Sequence, residues 1–304
     1  MKYTIICCWS TFNYRQNLFT NIYCKSYEYT DNYEEASFVI IGSFINEPMY
    51  NVINNLKCTK ILYITEPYKH MSPFLRILVD GNKFDYMTGS VSNSIKQIKY
   101  PLYLLYFNFT NKNIFLSANN YVKTCDIGSK KFCCLVNRHD RNNTRTDVYN
   151  KMLSINEIEC PSQLFNNTTN EQLNELGKND YLKQFKFIIC PENSYIDGYI
   201  TEKLLQSCLG GSIPIYYGCF DDVDAKIFNK GRILFYDSTP ESIDKVYDKI
   251  LQITSNDDEF KRFYKQDVFC DSAYETCMNM QINLLNFFDS LQITSNDDKF
   301  EKKL

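Results

Sequence analysis

The 304-residue sequence has few of the groups that form common metal and nucleotide sites. It contains two histidines, His70 and His139, and neither stands near a cysteine at the spacing of zinc ligands. No Cys-x-x-Cys pair occurs. The sequence also lacks a Gly-x-Gly-x-x-Gly motif and a Gly-Lys-Ser/Thr loop. These absences disfavour a nucleotide-fold oxidoreductase and a P-loop protein.

Long apolar runs and a strong excess of one charge are missing too. No window of 18 apolar residues occurs, and the apolar stretch at the N-terminus is too short for a signal peptide, so we expect a soluble, cytoplasmic protein without a transmembrane anchor. The 33 Lys and Arg residues nearly balance the 36 Asp and Glu residues, which excludes a chain-wide basic field for nucleic acid. The many Asn, Ile, Lys, Tyr and Phe residues hint at a low-GC source such as a virus or a microbe.

Cysteine, by contrast, is abundant, with 13 residues. The number is odd, and the adjacent pairs Cys7-Cys8 and Cys133-Cys134 lie in strand-like apolar runs. We interpret most of these cysteines as small buried hydrophobic residues in a reducing compartment, and not as a disulfide framework.

The length corresponds to about two domains at roughly 150 residues per domain. Short apolar runs bounded by turn residues predict eight strands, at residues 3–9, 37–42, 61–65, 84–89, 132–136, 185–190, 213–217 and 232–236. Several of them alternate with helix-period stretches, at residues 145–155, 202–209, 241–253 and 272–290. This alternation is typical of an α/β protein with parallel sheets.

A polar segment from Asn111 to Lys131 is the predicted linker between two α/β halves. We therefore expect a first domain at residues 1–120 and a second domain, which includes the C-terminal helices, at residues 121–304.

One internal repeat is present, because Leu251–Phe260 recurs with one change as Leu291–Phe300. The first copy is predicted to end one helix and to cap the next with Ser255 or Asn256.

The most informative segment runs from Phe187 to Gly218. It begins as a buried strand that ends at Cys190, continues as a polar loop and enters a helix near Thr201. In an open parallel sheet, the loop after a strand and the following helix N-terminus face the ligand crevice. Backbone N–H groups and the helix dipole favour an anion there. The same dipole disfavours the positive charge of Lys203 in the first helical turn, unless an anion lies between them.

Polar residues that can bind sugar hydroxyls surround this position, namely Glu192, Asn193, Tyr199 and Glu202. Phosphate together with sugar hydroxyls is what a nucleotide-sugar presents, so the segment predicts a nucleotide-sugar site. The alternative is that Thr201 and Glu202 form an ordinary helix N-cap and that Lys203 is a solvated surface charge.

The order of motifs in this segment resembles the donor-site signature of the α1,3/α1,4-fucosyltransferases, glycosyltransferase family 10. Glu192-Asn-Ser194, Gly198-Tyr-Ile-Thr-Glu-Lys203 and Gly211-Ser-Ile-Pro-Ile-Tyr-Tyr-Gly218 correspond to the family's Phe-Glu-Asn-Ser, Tyr-Val-Thr-Glu-Lys and small-residue turn with Pro-Ile or Pro-Val before Gly. Weaker similarity covers Lys60–Glu66, Phe84–Gly89, Tyr100–Tyr106 and Phe132–Asn137, with Arg145 and Tyr149.

The resemblance implies a GT-B fold, in which two Rossmann-like domains with parallel sheets face each other across a cleft. It implies an enzyme that transfers L-fucose from GDP-fucose to a hydroxyl of an acceptor glycan, with inversion. By family analogy the fucose is joined α1,3 to GlcNAc of a Galβ1,4GlcNAc-type unit.

The resemblance also assigns a donor site by position, at Arg145, Glu192, Asn193, Tyr199, Thr201, Glu202 and Lys203. Within it, Arg145 and Lys203 hold the pyrophosphate, and the other groups contact phosphate, ribose or fucose hydroxyls. Two cations neutralise the charge that builds on the departing GDP, so we expect no essential divalent metal and no cofactor.

Inversion requires a carboxylate that takes the acceptor proton from the face opposite the leaving phosphate, and the resemblance assigns this role to Glu66. The sequence has Thr65-Glu66-Pro67 where many members have Gly-Glu-Asn, and Pro191 replaces an aromatic residue. A loop acid in a salt bridge is the alternative for Glu66.

For Arg145 the alternative is surface pairing with Asp140 or Asp147, and Arg141 lies close enough in sequence to be the phosphate ligand instead.

Two acidic pairs are similar to Asp-x-Asp metal motifs. Asp221-Asp222 follows a turn and Asp257-Asp258 is typical of a helix cap, so we assign a metal site to neither.

The predicted partners are GDP-fucose and an acceptor oligosaccharide or glycoconjugate, held by first-half loops at residues 11–32, 45–55 and 68–83. Two other functions stay open. One is a GT-B transferase with another nucleotide-sugar, because phosphate-binding groups do not select the base. The other is a catalytically silent glycan- or nucleotide-binding module.

Overall fold

A computed structural model gives the fold and describes residues 1–7, 27–91, 94–140, 143–237 and 239–301, with the backbone alone after Leu291. The chain forms two compact units. The first unit consists of Met1–Phe107, Asp197–Tyr199 and Met278–Leu304, and the second unit consists of Asn108–Ile196 and Ile200–Cys277.

The first unit contains a six-stranded parallel sheet. Its strands are β1 (Lys2–Ile6), β2 (Glu28–Tyr29), β3 (Phe38–Gly42), β4 (Thr59–Ile64), β5 (Tyr86–Gly89) and β6 (Gln97–Lys99). Their order across the sheet is β2-β1-β3-β4-β5-β6. Every residue of β3 is buried, which explains why this strand is a continuous apolar run in the sequence.

The second unit contains a five-stranded parallel sheet. Its strands are β7 (Lys131–Cys134), β8 (Ile158–Glu159), β9 (Phe185–Ile189), β10 (Ile213–Tyr216) and β11 (Leu234–Phe235). Their order is β11-β10-β9-β7-β8. The chain therefore reverses its direction of travel across the sheet between β7 and β9, and such a switch point leaves a crevice outside the carboxyl ends of the two strands.

Ten α-helices are described. They are α1 (Glu47–Asn55), α2 (Pro73–Asp80), α3 (Asn113–Thr124), α4 (Thr144–Leu153), α5 (Glu171–Leu176), α6 (Lys178–Leu182), α7 (Glu202–Leu209), α8 (Pro240–Thr254), α9 (Asp257–Tyr264) and α10 (Ala273–Glu301). Single 3-10 turns lie at Tyr33–Glu35, Tyr68–His70, Leu102–Leu105, Asp224–Lys226 and Lys230–Arg232. Helices α1, α2 and α8 begin where Asn46, Ser72 and Thr239 accept a backbone N–H, each with a proline in the first turn.

These elements confirm the predicted α/β class with two parallel sheets. All eight predicted strands have counterparts with small shifts at their described ends, and residues 8–9 of the first predicted strand lie outside the described residues. All four predicted helices are present, but the last one continues to Glu301 instead of ending at residue 290. Strands β2, β6 and β8 were not predicted, because segments of two or three residues carry no readable period.

The predicted linker at Asn111–Lys131 is wrong, because most of it is helix α3. Phe115, Ala118 and Val122 of this helix are buried. Asn119 accepts the backbone N–H groups of Val268 and Phe269 at 2.8 and 2.9 Å and so joins the helix to its own unit. Polar residues on the exposed face of α3 conceal its amphipathic character.

The compact units also differ from the expected division at residue 120. The first segment ends at Phe107, and the chain from Met278 belongs to the first unit. Phe288 of α10 explains this placement, since its ring lies 5.6 Å from that of Phe38 in β3, and its carbonyl accepts the Tyr27 hydroxyl at 2.8 Å.

Two of the three predicted acceptor loops are largely helical. Residues 45–55 contain α1 and residues 68–83 contain α2, so the loop prediction is wrong there. Of residues 11–32, those up to 26 lie outside the described chain, as does Cys8.

The cysteine interpretation agrees with six buried residues that carry free thiols, at Cys133, Cys134, Cys160, Cys190, Cys208 and Cys277. Burial raises the pKa of Cys160 and Cys208 to about 12, which keeps these thiols neutral. The repeat prediction is also confirmed, because Asn256 caps α9 by accepting the N–H groups of Asp258 and Glu259.

Candidate active site

The loops that follow β7 and β9 meet at the switch point of the second sheet. Arg145 in the first turn of α4 and Asn193 in the loop after β9 are joined there, with Nη2 of the arginine 2.7 Å from Oδ1 of the asparagine. Two predicted donor-site residues, 48 positions apart, are thus neighbours. Parallel strands bring their carboxyl ends to one edge of the sheet, which is why the two loops meet.

The loop after β7 holds Arg145 in place from several sides. Oδ2 of Asp140 accepts the backbone N–H of Arg145 at 3.0 Å and that of Thr146 at 2.7 Å, which satisfies the first turn of α4. The guanidinium donates Nη1 to the carbonyl of His139. Arg145 is 3% exposed, so the surface-pairing alternative is wrong. Arg141 lies outside the described chain.

Glu192 lies at the centre of a buried hydrogen-bond cluster. Its Oε1 accepts the N–H of Thr201 at 2.7 Å and the hydroxyl of Tyr216 at 3.4 Å. Its Oε2 accepts the hydroxyl of Thr201 at 2.6 Å and the ammonium of Lys203 at 3.2 Å. Both oxygens are occupied by protein groups, and the side chain has no exposed surface. The sequence placed Glu192 among sugar-binding groups, whereas in this structure it positions Thr201 and Lys203.

Thr201 precedes α7 in the N-cap position, but its side chain makes no capping bond. Its hydroxyl donates to Glu192 and accepts the ammonium of Lys203 at 2.9 Å. Lys203 is 14% exposed at its side chain. The alternative of an ordinary cap beside a solvated lysine is therefore wrong.

Lys203 experiences strong and opposing electrostatic effects. Burial alone lowers the pKa of its ammonium, but the carboxylates of Glu192 and Glu202, at 3.2 and 3.6 Å, raise the net pKa above the ordinary value. Arg145 is close enough to lower it. Two like charges held near each other at the end of a sheet are the arrangement expected of an anion site.

Glu202, in the first turn of α7, keeps its negative charge despite its surroundings. Burial acts to raise the pKa of its carboxyl, yet Lys203 and Lys178 lower it below the ordinary value. A carboxylate in this position accepts hydrogen bonds and suits hydroxyl recognition.

Glu66 follows β4 in the first unit. Ser43 at the end of β3 shapes this turn, since its hydroxyl accepts the N–H of Thr65 at 2.8 Å. The side chain of Glu66 is 21% exposed. Its Oε2 accepts the hydroxyl of Tyr199 at 3.2 Å and lies 3.6 Å from Nδ1 of His70. The last contact is an ion pair only when His70 is protonated.

Tyr199 therefore lies with Glu66, although the sequence placed it among the donor-binding residues. Residues Asp197–Tyr199 belong to the first unit. Gly198 makes this possible, because its φ of +75° and the Val91 backbone, 3.2 Å from where a Cβ would lie, both require glycine. His70 was missed, because an isolated loop histidine carries no signal until its neighbours are known.

The two acidic pairs lie in turn and helix structure. Asp221 accepts the N–H groups of Val223 and Asp224, and Asp257 opens α9. Among the described side chains, no group of three or more His, Cys, Asp or Glu residues is placed to hold a metal ion. In the same part of the chain, no helix is both long enough and apolar enough to cross a membrane.

Comparison with known proteins places these residues in a family. The model of glycosyltransferase family 10 (fucosyltransferase), C-terminal part, matches residues 125–298, more than half of the chain. The chain belongs to glycosyltransferase family 10. The match contains the segment with Glu192 and Lys203 as well as Arg145, and the resemblance found in the sequence is confirmed.

The similarity of this family 10 chain to a curated relative extends over more residues than the match to the family model. The R654 protein of Acanthamoeba polyphaga mimivirus, provisionally named a fucosyltransferase, is 24% identical over 272 residues, which are 85% of this chain and 41% of that protein. The chain spans less than half of the length of the curated relatives it matches.

Solved structures share the fold of the family 10 chain. Two crystal structures of α1,3-fucosyltransferase, the second determined with GDP-fucose, match with TM-scores of 0.69 and 0.66. Each is 18% identical and covers 94% of this chain and 90% of its own. The GT-B type of fold, with its two parallel α/β sheets, is thereby confirmed.

Proposed function

We propose that this family 10 chain transfers L-fucose from GDP-fucose to a hydroxyl of an acceptor glycan, with inversion. The observation that carries the proposal is that Arg145 binds Asn193 and Lys203 binds the adjacent Glu192, at the switch point between β7 and β9, in a chain of this family. The name of the related solved structure, an α1,3-fucosyltransferase with GDP-fucose, supports the choice of donor.

Departure of GDP builds negative charge on the pyrophosphate, and the second unit is arranged to stabilise it. Arg145 offers a planar fork that can bind two phosphate oxygens, while Lys203 supplies a compact charge. Both are held by protein groups before any ligand arrives, so little reorganisation is needed in the transition state. We expect these cations to make a divalent metal unnecessary, and activity retained in a metal chelator is the test.

Glu66 is the proposed general base. The acceptor hydroxyl oxygen attacks the anomeric carbon, the bond from that carbon to the phosphate oxygen breaks, and the acceptor proton passes to Glu66. The carboxylate has solvent-exposed surface, so an incoming hydroxyl can reach it. The hydroxyl of Tyr199 and the ring of His70 fix its orientation.

A β-galactosyl-1,4-GlcNAc unit is the proposed acceptor, with the new bond α1,3 to GlcNAc. The names of the related solved structures support this linkage.

Mass spectrometry with GDP-fucose and a library of glycans tests the function. The expected result is a mass gain of one fucose on Galβ1,4GlcNAc glycans, with an α linkage in the product. Competition among GDP, UDP and dTDP tests the donor, and GDP should bind most tightly. Preference for UDP would show another nucleotide-sugar as the donor, and GDP binding without turnover on any glycan would show a binding module.

A further inference from the structure

A second lysine reaches the same end of the sheet as Lys203. Lys178 opens helix α6 and lines a small cavity together with Lys203, Asn137 and Cys190. The cavity measures about 10 Å³, which is the space of one water molecule. It is therefore too small to be a ligand pocket, and the groups that line it lie close together at the carboxyl ends of β7 and β9.

The charge of Lys178 interacts with the predicted donor residues. Burial lowers the pKa of its ammonium, Glu202 acts in the opposite direction, and Lys203 lowers the pKa further. Glu202 in turn has its own pKa lowered by both lysines. Lys178, which lines one cavity with Lys203, is therefore close enough to Glu202 and Lys203 for their charges to act on it.

A balance of charges shows why a second lysine is needed. Lys203 lies within 4 Å of two carboxylates, those of Glu192 and Glu202, so these three groups together carry an excess of one negative charge. Such a cluster would repel a pyrophosphate. Lys178 brings the cluster to neutrality, and Arg145 then adds an excess of one positive charge.

We propose that Lys178 is a positioning residue of the nucleotide-sugar site, which neutralises Glu202 so that the charges of Lys203 and Arg145 act on the pyrophosphate. The inference rests on the proposed function, because it takes a nucleoside-diphosphate donor as the ligand. Lys178 lies outside every motif of the family resemblance, so the sequence alone does not predict this role.

Calorimetric binding of GDP, guanosine and inorganic pyrophosphate tests the role. In Lys178→Met, we expect affinity for GDP and for pyrophosphate to fall about 10-fold, equivalent to about 1.4 kcal/mol. Affinity for guanosine, which has no phosphate, should not change. Lys178→Arg should restore most of the loss. The matched control is Lys183→Met, which removes an exposed lysine at the other end of α6, paired with Asp180, and should bind all three ligands as the wild type does.

Two outcomes would overturn the inference. The first is GDP and pyrophosphate affinity in Lys178→Met equal to that of the wild type. The second is an equal loss for GDP and guanosine, which would indicate a structural role only. Lys178→Gln serves as a second uncharged variant if the methionine variant fails to fold. Wild-type protein that binds pyrophosphate but not GDP would overturn the proposed donor, while the pyrophosphate comparison would still decide the role of Lys178.

Discussion

The charged groups at the ends of the two sheets are arranged in different ways. In the second unit, Glu192 is fully enclosed, and each of its oxygens accepts two protein groups. In the first unit, about a fifth of the side chain of Glu66 is exposed, and its carboxylate contacts the hydroxyl of Tyr199 and the ring of His70. Enclosure suits a group that must hold its neighbours in place, because no water competes for its hydrogen bonds. Exposure suits a group that must exchange a proton with an incoming molecule.

The strongest test of this difference replaces Glu66. Glu66→Gln keeps the size of the side chain but cannot accept a proton, so we expect turnover to fall by roughly 10²- to 10⁴-fold. Release of GDP in the presence of GDP-fucose and acceptor measures it. GDP affinity and the free energy of unfolding should stay at the wild-type values, because Glu66 lies in the other unit and is partly exposed.

Glu47→Gln is the matched control, since it removes an exposed carboxylate of the same unit at the start of α1. Turnover retained in Glu66→Gln would refute the general-base assignment.

The second test replaces the enclosed carboxylate. Glu192→Gln leaves the ammonium of Lys203 without its enclosed counter-charge and places an amide among hydrogen-bond donors. Removing one partner of a buried ion pair costs about 3–5 kcal/mol. We expect the free energy of unfolding, measured with urea, to fall by that amount, together with weaker GDP binding. A stability equal to that of Glu66→Gln would mean that the two carboxylates do not differ as described.

The third test changes the packing around Glu192 without removing a charge. A Cβ at Gly218 would lie 2.4 Å from the hydroxyl of Tyr216 and 2.9 Å from Cγ of Glu192. Gly218→Ala therefore forces one of these buried groups to move, and we expect a loss of about 1–3 kcal/mol in unfolding free energy. In the control Gly128→Ala the nearest atom is a side-chain oxygen at 3.3 Å, and the change should stay within about 0.5 kcal/mol. Equal stability of the two variants would contradict the tight fit at Gly218.

The two sites also differ in how far sequence alone could define them. Glu192, Thr201 and Lys203 lie on one strand-loop-helix segment, so their proximity could be predicted from local structure. The enclosed role of Glu192 could not, because it depends on Tyr216 in the next strand. The contact of Tyr199 with Glu66 spans 133 positions, and no local pattern encodes such a pairing. Lys178 could not be predicted either, because the charged groups that act on it lie on other elements.

The fold, too, could be predicted from the sequence only in part. Central strands such as β3 and β9 are buried on both faces and appear as apolar runs, and the sequence predicted them. Helix α3 is polar along its exposed face, and its tertiary contact through Asn119 decides its place. The assignment of α10 to the first unit likewise depends on Phe288 packing against Phe38, a contact between distant parts of the chain.

The smallest expected effect is that of Tyr199→Phe, which tests whether Tyr199 acts with Glu66 or in the donor site. Its hydroxyl donates to Glu66 at 3.2 Å, and a single hydrogen bond of this kind contributes about 0.5–1.5 kcal/mol. Tyr199→Phe should therefore lower kcat by roughly 2- to 10-fold and leave the KM for GDP-fucose unchanged, as steady-state kinetics would show. The control Tyr195→Phe removes the hydroxyl of a tyrosine in the same loop that is 53% exposed, and it should change neither constant. A raised KM for GDP-fucose with unchanged kcat would instead indicate that Tyr199 binds the donor, because the lost hydroxyl would then contribute equally to the ground state and the transition state.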